Sequence, residues 1–186
     1  MRLFIAIDLP RSFKAEVSRV QKELKQLSCG GRFVPGASFH ITLHFIGESK
    51  DLQGAVAAMQ EAVRGIRPFT LHLGKYDCFD KGGKKTSFLE VKGELGELNA
   101  LYESLQSALY DNGFSRERKR FTPHITLGRN VEHDELATLE LKQLSPNASM
   151  TVMGITLFES RREEGKVAYY RCIPKDFDKI KRSGYG

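Results

Sequence analysis

One tetrapeptide, His-Ile-Thr-Leu, occurs twice in this chain of 186 residues, at His40–Leu43 and at His124–Leu127. The copies begin 84 residues apart, a little under half the chain. Each follows a segment with an aromatic residue and a proline, Phe33-Val34-Pro35 in one case and Phe121-Thr122-Pro123 in the other. An internal repeat of this length indicates equivalent structural units. We therefore predict two similar lobes within a single domain spanning residues 1–186.

The rest of the chain mixes predicted helices and strands. Apolar residues at helical spacing predict helices at Phe13–Leu27, Leu52–Val63, Leu95–Tyr110 and Glu135–Leu144. Short β-prone runs predict strands at Arg2–Leu9, Phe39–Ile46, Phe69–Leu73, Tyr76–Phe79, Ser87–Val91, His124–Gly128, Thr151–Glu159 and Val167–Ile173. Hairpin turns are predicted at Asp80–Lys85 and around Glu164-Gly165. Because many strands are adjacent in sequence, this order favours an α+β fold with antiparallel sheets over a doubly wound parallel sheet.

Composition bears on partners and on location. The net charge is +6, and basic residues concentrate in segments 81–85, 116–120 and 161–166, which favours a polyanionic partner. The three cysteines are widely spaced without a C-x-x-C pair, which predicts free thiols in a reducing cytoplasm and neither a disulfide framework nor a zinc site. No apolar run approaches about 18 residues and no signal-peptide core is present at the start, so no membrane association is predicted.

The repeated tetrapeptide carries the candidate chemistry. Residues i and i+2 of a strand share a face, so His40 projects with Thr42, and His124 with Thr126, into a cleft between the lobes. Phosphodiester hydrolysis needs one group to accept a proton from the attacking oxygen and another to protonate the leaving oxygen. Histidine can do either near neutral pH, and threonine hydroxyls can bind the non-bridging oxygens. This scheme requires no metal and no cofactor. A single histidine would be interpreted as structural, but apolar alternation does not explain the repeat of both His and Thr.

The other three histidines receive structural interpretations. His44 has the strand parity of His40, but four strand residues span about 13 Å, so the two cannot share a metal. We predict His44 at the cleft edge or on the surface. His72 and His133 have no partner pattern and are predicted at the surface.

These motifs resemble the 2H phosphoesterase superfamily, and most of all its RNA 2′,3′-cyclic phosphodiesterases, also called 2′-5′ RNA ligases. The resemblance covers nearly the whole chain and is carried by Arg2–Pro10, Phe33–Pro35, His40–Gly47, Arg120–Arg129 and Leu157–Ser160. It implies two lobes, each an antiparallel sheet backed by helices, around a central cleft. It also implies conversion of 2′,3′-cyclic phosphates at RNA ends to 2′-phosphates, with 2′-5′ ligation as a possible reverse activity.

The resemblance further implies roles for individual residues. His40 would protonate the leaving 3′ oxygen, and His124 would activate water. Arg120 and Arg129 could bind phosphate through bidentate contacts, although Arg129 reaches the cleft only if its strand ends or twists near Gly128. Phe88 stands where relatives often have an aromatic residue, and is expected in the core in preference to a base-stacking role.

Two alternatives stay open. The first is a related enzyme, with the same catalytic residues, acting on a small nucleotide cyclic phosphate or an ADP-ribose cyclic phosphate. A deep, closed pocket would favour that substrate, whereas an open basic groove would favour RNA. The second is a nucleotide- or RNA-binding module without catalysis, which usually lacks one of the motif residues. A monomer is expected in each case.

Overall fold

The computed structural model describes residues 1–177, which form nine β-strands and four α-helices. The strands are β1 Arg2–Asp8, β2 Gly30–Phe33, β3 His40–Glu48, β4 Phe69–Lys81, β5 Lys84–Gly93, β6 His124–Glu132, β7 Ser149–Val152, β8 Gly154–Glu163 and β9 Lys166–Asp176. The helices are α1 Arg11–Gln26, α2 Leu52–Ala62, α3 Leu95–Asp111 and α4 Glu135–Gln143. The strands build two antiparallel sheets, ordered β3-β1-β8-β9 and β2-β6-β5-β4-β7. The predicted α+β class with antiparallel sheets is confirmed.

The repeat extends well beyond the tetrapeptide. In the first half the chain runs through β1, α1, β3 and α2, and β1 pairs with β3. In the second half it runs through β5, α3, β6 and α4, and β5 pairs with β6. Even the helix starts correspond. Asp51 caps α2 by accepting a hydrogen bond from the Gly54 N–H, and Asp134 caps α4 by accepting one from the Ala137 N–H, both at 2.8 Å.

The strand β1 is apolar on both faces because both faces are covered. Leu3, Ile5 and Ile7 point into the main core, which extends beneath both sheets. Phe4 and Ala6 point to the opposite side, where they meet a small apolar cluster that includes Phe158 and Tyr169. The sequence of a strand that is covered on both sides is a nearly continuous run of apolar residues. The second cluster places aromatic rings beside the cleft described below.

Two strand predictions differ from the structure. The single strand predicted at Thr151–Glu159 is two strands, because the chain changes sheets at Met153, so that β7 pairs with β4 and β8 pairs with β1. The prediction was wrong because β-prone residues continue through the crossing. The strand β2 has no counterpart among the predicted strands, since Gly30-Gly31 is typical of a helix stop. It forms by backbone pairing with β6.

Both predicted hairpins are present. The β8–β9 turn is Glu164-Gly165, whose φ angles of 49° and 78° are those of a two-residue turn that matches strand twist. The β4–β5 turn is shorter than predicted, because the strands continue to Lys81 and from Lys84. The two predicted pieces of β4 are one strand with an irregularity between Leu73 and Tyr76. Of the helices in residues 1–177, none is both long enough and apolar enough to cross a bilayer.

Candidate active site

The motif side chains of both halves line one cleft of about 460 Å³. His40 and Thr42 come from β3 in one sheet, and His124 and Thr126 come from β6 in the other, so the cleft lies between the sheets. The other lining residues are Arg2, Leu3, Phe4, Val34, Ser38, Phe45, Gly47, Arg129, Ser160, Val167 and Tyr169. The structure therefore brings together the four residues that the repeat singled out.

Both histidine rings are oriented by the same local hydrogen bond. Nδ1 of His40 lies 2.7 Å from the Ser38 carbonyl oxygen, and Nδ1 of His124 lies 2.7 Å from the Thr122 carbonyl oxygen. A carbonyl oxygen can only accept, so Nδ1 carries the proton in each ring. In the neutral rings Nε2 then has the lone pair, and Nε2 is the nitrogen available to a ligand in the cleft.

The two sites differ in what their threonines contact. Oγ1 of Thr42 lies 2.9 Å from Nε2 of His40, so the hydroxyl can donate to the neutral ring. Within residues 1–177, no corresponding hydrogen bond joins Thr126 to His124. The hydroxyl of Thr126 therefore lines the cleft without this local partner.

Burial lowers the pKa of His40 to about 4. Burial is the largest cause of this net lowering of the pKa; the hydrogen bond to the Ser38 carbonyl opposes it, and electrostatic interactions with Lys14, His124 and Arg129 contribute smaller parts of it. At neutral pH the His40 ring is therefore uncharged in the ligand-free protein. An anion bound beside the ring would favour the imidazolium and raise this pKa.

Each motif strand contains a β-bulge at the same place. The pairing of β3 with β1 passes over Leu43, and the pairing of β6 with β5 passes over Leu127. One extra residue in a strand reverses the alternation of its side chains from that point on. The residues after each bulge therefore face the opposite way from that expected for an unbroken strand.

The bulge in β6 brings Arg129 into the cleft. Leu127 and Gly128 are consecutive buried residues, so Arg129 shares the face of His124. The sequence-based condition, an irregular strand near Gly128, is thus met. Phe45 occupies the corresponding position of β3 and also lines the cleft, with 59% of its surface exposed. Sequence analysis does not identify Phe45, because its strand parity is opposite to that of His40.

The bulge at Leu43 of β3 explains why the prediction for His44 is wrong. His44 is predicted at the cleft edge or surface, but it is turned into the protein interior and is only 4% exposed. The prediction for His133 is wrong as well. His133 is buried, and its Nε2 lies 2.8 Å from the hydroxyl of Tyr76, which provides the polar partner a buried imidazole needs. His72 is exposed, as predicted.

An aromatic ring supports each motif histidine. Phe88 is 4% exposed, and its ring centroid lies 5.2 Å from that of His124 in an edge-on arrangement. Phe4 lies 4.9 Å from His40. Phe88 is thus buried, as the sequence analysis expects, and its ring packs against the ring of His124. Phe4 is missed by the sequence analysis, although it precedes Phe88 by the same 84 residues that separate the histidines, and this offset could have found it.

Tyr169 adds a second ring beside His40, at 5.3 Å and nearly perpendicular. It comes from β9, whose position next to the cleft depends on sheet order and is not evident in the sequence. On the other side Phe79 of β4 lies 6.2 Å from His124 and is about half exposed. The exposed ring of Phe45 and the partly exposed ring of Tyr169, both lining the cleft, suit a ligand with planar groups.

Arg120 is not among the cleft-lining residues. It lies in a second recess with Arg116, Lys119 and Tyr102. Phe121 stacks on Tyr102 there, with centroids 4.1 Å apart and nearly parallel planes. The structure therefore separates Arg120 from Arg129 and places Arg120 on the segment that leads into the second motif.

The charges of the cleft suit an anion. Arg2 and Arg129 line it, and no carboxylate is among its lining residues in the described chain. Arginine binds phosphate through paired N–H donors, and hydroxyls and imidazoles supply further donors. Residues 1–177 contain no group of three or more His, Cys, Asp or Glu side chains placed to hold a metal ion.

A cleft between two antiparallel sheets, with one His-x-Thr strand contributed by each half, is the arrangement that defines the 2H phosphoesterases. The family model described as the 2′-5′ RNA ligase superfamily matches residues 9–164. The chain belongs to this family.

Individual relatives agree with the family match. The chain is 33% identical over 131 residues to an RNA 2′,3′-cyclic phosphodiesterase of Thermotoga maritima, covering 69% of this chain and 70% of the relative. It is 34% identical over 132 residues to a protein of the same name from Archaeoglobus fulgidus, covering 69% and 72%.

Solved structures show the same fold. The protein TT0787 of Thermus thermophilus superimposes with a TM-score of 0.77 at 25% identity, covering 95% of this chain and 98% of that one. LigT of E. coli in complex with 3′-AMP superimposes with a TM-score of 0.74 at 25% identity, covering 96% and 98%.

Proposed function

We propose that this protein hydrolyses 2′,3′-cyclic phosphates at RNA ends to 2′-phosphates. The observation that carries the proposal is the pair of histidines, each held by a backbone carbonyl at Nδ1, lining one cleft that has two arginines and no carboxylate. The names of the relatives and the 3′-AMP complex of LigT support the same substrate class.

In the proposed reaction His124 accepts a proton from water as the water oxygen bonds to phosphorus. The bond from phosphorus to the 3′ oxygen breaks, and His40 donates a proton to that oxygen, leaving the phosphate on the 2′ oxygen. The hydroxyls of Thr42 and Thr126 and the guanidinium of Arg129 would bind the non-bridging oxygens, where negative charge increases in the transition state. Both proton transfers are assigned to protein side chains, so the reaction would proceed without a metal.

The low pKa of His40 couples this proton donor to its substrate. In the empty cleft the ring is neutral at pH 7 and has no proton at Nε2 to give. A cyclic phosphate carries one negative charge, and binding it beside His40 stabilises the imidazolium. Substrate binding therefore raises the pKa of the donor, and the pH dependence of the rate belongs to the pair of histidines, not to either ring alone.

The experiment is an assay on an oligonucleotide that ends in a 2′,3′-cyclic phosphate, with the product isomer identified. We expect a 2′-phosphate product, near-complete loss of turnover in His40→Ala and in His124→Ala, and little further loss in the double variant, because the two residues act as a unit. His72→Ala is the control, since His72 is exposed and outside the cleft. A folded His40→Ala or His124→Ala protein with wild-type turnover would refute the proposal. So would loss of activity in EDTA that is restored by added metal.

A sulfur-substituted substrate assigns the two roles. When the 3′ bridging oxygen is replaced by sulfur, the leaving thiolate needs no proton, since thiols have a pKa of about 8.5. On this substrate His40→Ala should lose less of the wild-type turnover rate than it does on the oxygen substrate. The loss of turnover rate in His124→Ala should be the same on both substrates. The reverse pattern would exchange the roles of donor and acceptor.

A ribose 5′-hydroxyl in place of water would give a 2′-5′ linkage by the same proton transfers. We propose this ligation as a secondary activity. It is tested by adding an oligonucleotide with a free 5′-hydroxyl to the same reaction and looking for a longer product whose new linkage resists a ribonuclease specific for 3′-5′ linkages.

A further inference from the structure

Two buried glutamines connect the two halves of the active site. Nε2 of Gln21, on α1, donates to the Val34 carbonyl at 2.7 Å and to the Leu127 carbonyl at 2.8 Å. Gln106, on α3, lies 3.0 Å through Nε2 from Nδ1 of His44, and its Oε1 accepts from the Glu117 N–H at 3.0 Å. Both side chains are almost fully buried, and the hydrogen bonds to Leu127 and His44 are shielded from water.

The two connections cross. Gln21 joins the bulge of the second motif strand to Val34, which precedes the first motif. Gln106 joins His44, at the bulge of the first motif strand, to Glu117, which precedes the second motif. The glutamines are 85 residues apart, one more than the histidines, and they sit on helices that correspond in the repeat. Each helix therefore holds both the motif strand of the other half and the segment that leads into the motif of its own half.

We propose that Gln21 and Gln106 are positioning residues of the two-histidine site, and that the Gln106 connection requires His44 in its neutral form. The proposal rests on the proposed function, since it assigns the glutamines to the geometry of His40 and His124. It concerns residues that are not among those lining the cleft.

The chemistry of the donors fixes the orientation of Gln106. A backbone N–H faces one end of the amide, so that end must be the oxygen. The other end is then the NH₂ group, which faces Nδ1 of His44. Nδ1 must accept, so the ring proton lies on Nε2. Protonation of His44 would place two donors against each other and break the connection.

The surroundings of His44 favour the neutral ring. Burial lowers its pKa, while the carboxylate of Glu117 acts in the opposite direction. Within residues 1–177, the Gln106 amide is also the hydrogen-bond partner that holds the middle of the long connection between α3 and β6, which includes Glu117 and Arg120 and ends at His124. Losing it would free the approach to the second motif.

Truncation of the amides is the first test. Gln21→Leu and Gln106→Leu should lower kcat by about 10- to 100-fold with a smaller change in KM, because displaced catalytic groups cost rate more than binding. Gln26→Leu is the matched control, since Gln26 is an exposed residue of the same helix as Gln21. Wild-type kcat in folded Gln21→Leu and Gln106→Leu proteins would overturn the proposal.

Substitution by glutamate separates positioning from a general structural role. In Gln106→Glu one carboxylate oxygen can still accept from the Glu117 N–H, and the other can accept from a protonated Nδ1 of His44, so activity should stay within a few-fold of wild type. Gln21→Glu places a carboxylate against two carbonyl oxygens and removes both donors, so it should lose at least as much activity as Gln21→Leu. Equal losses in both glutamate variants would contradict the donor assignment.

Histidine NMR provides a readout that does not depend on turnover. The pKa of His44 should rise in Gln106→Glu, and amide exchange of residues 114–121 should be slower than in Gln106→Leu. His44→Asn, which keeps an acceptor near the position of Nδ1, should retain wild-type exchange down to acidic pH. An unchanged His44 titration in Gln106→Glu would overturn the inference even if the enzyme is active. Conversely, a wild-type protein inactive on cyclic phosphates would refute the proposed function while leaving these measurements interpretable.

Discussion

The two motif histidines are oriented alike but sit in different electrostatic environments. Each donates its Nδ1 proton to the carbonyl two residues earlier, which fixes ring orientation without a carboxylate. His40 is the more enclosed, and burial lowers its pKa to about 4. An anion bound beside this ring would favour its protonated form, so in the proposed reaction the donor is better prepared in the complex than in the empty cleft.

The motif threonines should affect the chemical step. Thr42→Val and Thr126→Val should each lower kcat by less than the roughly 10²–10³ known for a buried oxyanion donor, because the cleft is partly solvated. Thr42→Val also removes the hydroxyl next to Nε2 of His40. Thr70→Val, at an exposed site on β4, controls for the loss of a strand hydroxyl. Near wild-type rates in both motif variants would assign the threonines a structural role.

The depressed pKa of His40 also predicts a pH-dependent stability. The native ring has a pKa of about 4, against about 6.5 when unfolded, so between these values the unfolded state binds more protons. Stability should therefore fall as the pH drops from about 6.5 towards 4, by up to about 1.4 kcal/mol per pH unit from this residue.

Urea unfolding at several pH values measures this effect. His40→Asn should show a shallower loss of stability on acidification than wild type, and some loss should remain because burial lowers the pKa of His44 as well. Parallel pH profiles for the two proteins would mean that the native pKa of His40 is close to its unfolded value.

At the scale of elements, the two bulges decide which side chains reach the cleft. Without them Arg129 and Phe45 would face the core, and His44 would face the cleft. The position after the bulged residue is His44 in one strand and Gly128 in the other, and both point inward. In β3 the inward side chain is His44, which is hydrogen-bonded to Gln106 of α3. In β6 the inward residue is Gly128, and because it has no side chain, Phe33 of β2 and Val131 lie close to its backbone.

That close approach predicts a destabilising substitution. A Cβ at Gly128 would lie 2.8 Å from Cγ2 of Val131 and 3.1 Å from the ring of Phe33, both closer than normal packing. Gly128→Ala should cost about 1–3 kcal/mol in urea unfolding, as is usual for overpacking. Gly96→Ala, in α3 with no atom near the added methyl, should be neutral or stabilising. Equal free energies of unfolding for the two variants would show that the residues around Gly128 move aside without a loss of stability.

These elements mark what the sequence could and could not predict. The repeat identified His40 and His124, their threonines and the order of helices and strands, because spacing and periodicity are local properties. It did not predict the bulges, since the residues around Leu43 and Leu127 continue a regular alternation and the pairing partner decides where a residue is skipped. It also missed β2, whose glycines form a strand only because β6 offers an edge.

For the molecule as a whole, the basic segments lie on three different parts of the fold. Lys81 and Lys84 lie at a hairpin tip, Arg161 and Arg162 on β8, and the 116–120 segment forms part of the second recess. These positions lie outside the residues that line the cleft. They could therefore contact the phosphates of a longer strand, but not those of a mononucleotide held between the histidines.

Salt should therefore discriminate between long and short substrates. For a single-stranded oligonucleotide, log KM should rise with log salt concentration, with a slope of about 0.7 for each phosphate contacted outside the cleft. The KM of a mononucleotide 2′,3′-cyclic phosphate should respond less. The measurement is a salt series on both substrates with the same enzyme. Identical slopes would contradict a role for the basic segments in RNA binding and would favour a small cyclic phosphate as the substrate.

The crossed glutamines bear on how this chain tolerates recombination. Exchanging residues 1–83 between two relatives would leave the second half of the repeat intact from β5 onward, yet it would pair a foreign α1 with the resident β6, and a foreign β3 with the resident α3. A chimera should preserve function only when the helix and the opposite strand come from the same parent. The boundary between the two repeated halves is thus not an independent exchange point. Hydrogen bonds near both motif histidines cross it, so the residues on its two sides should come from the same parent.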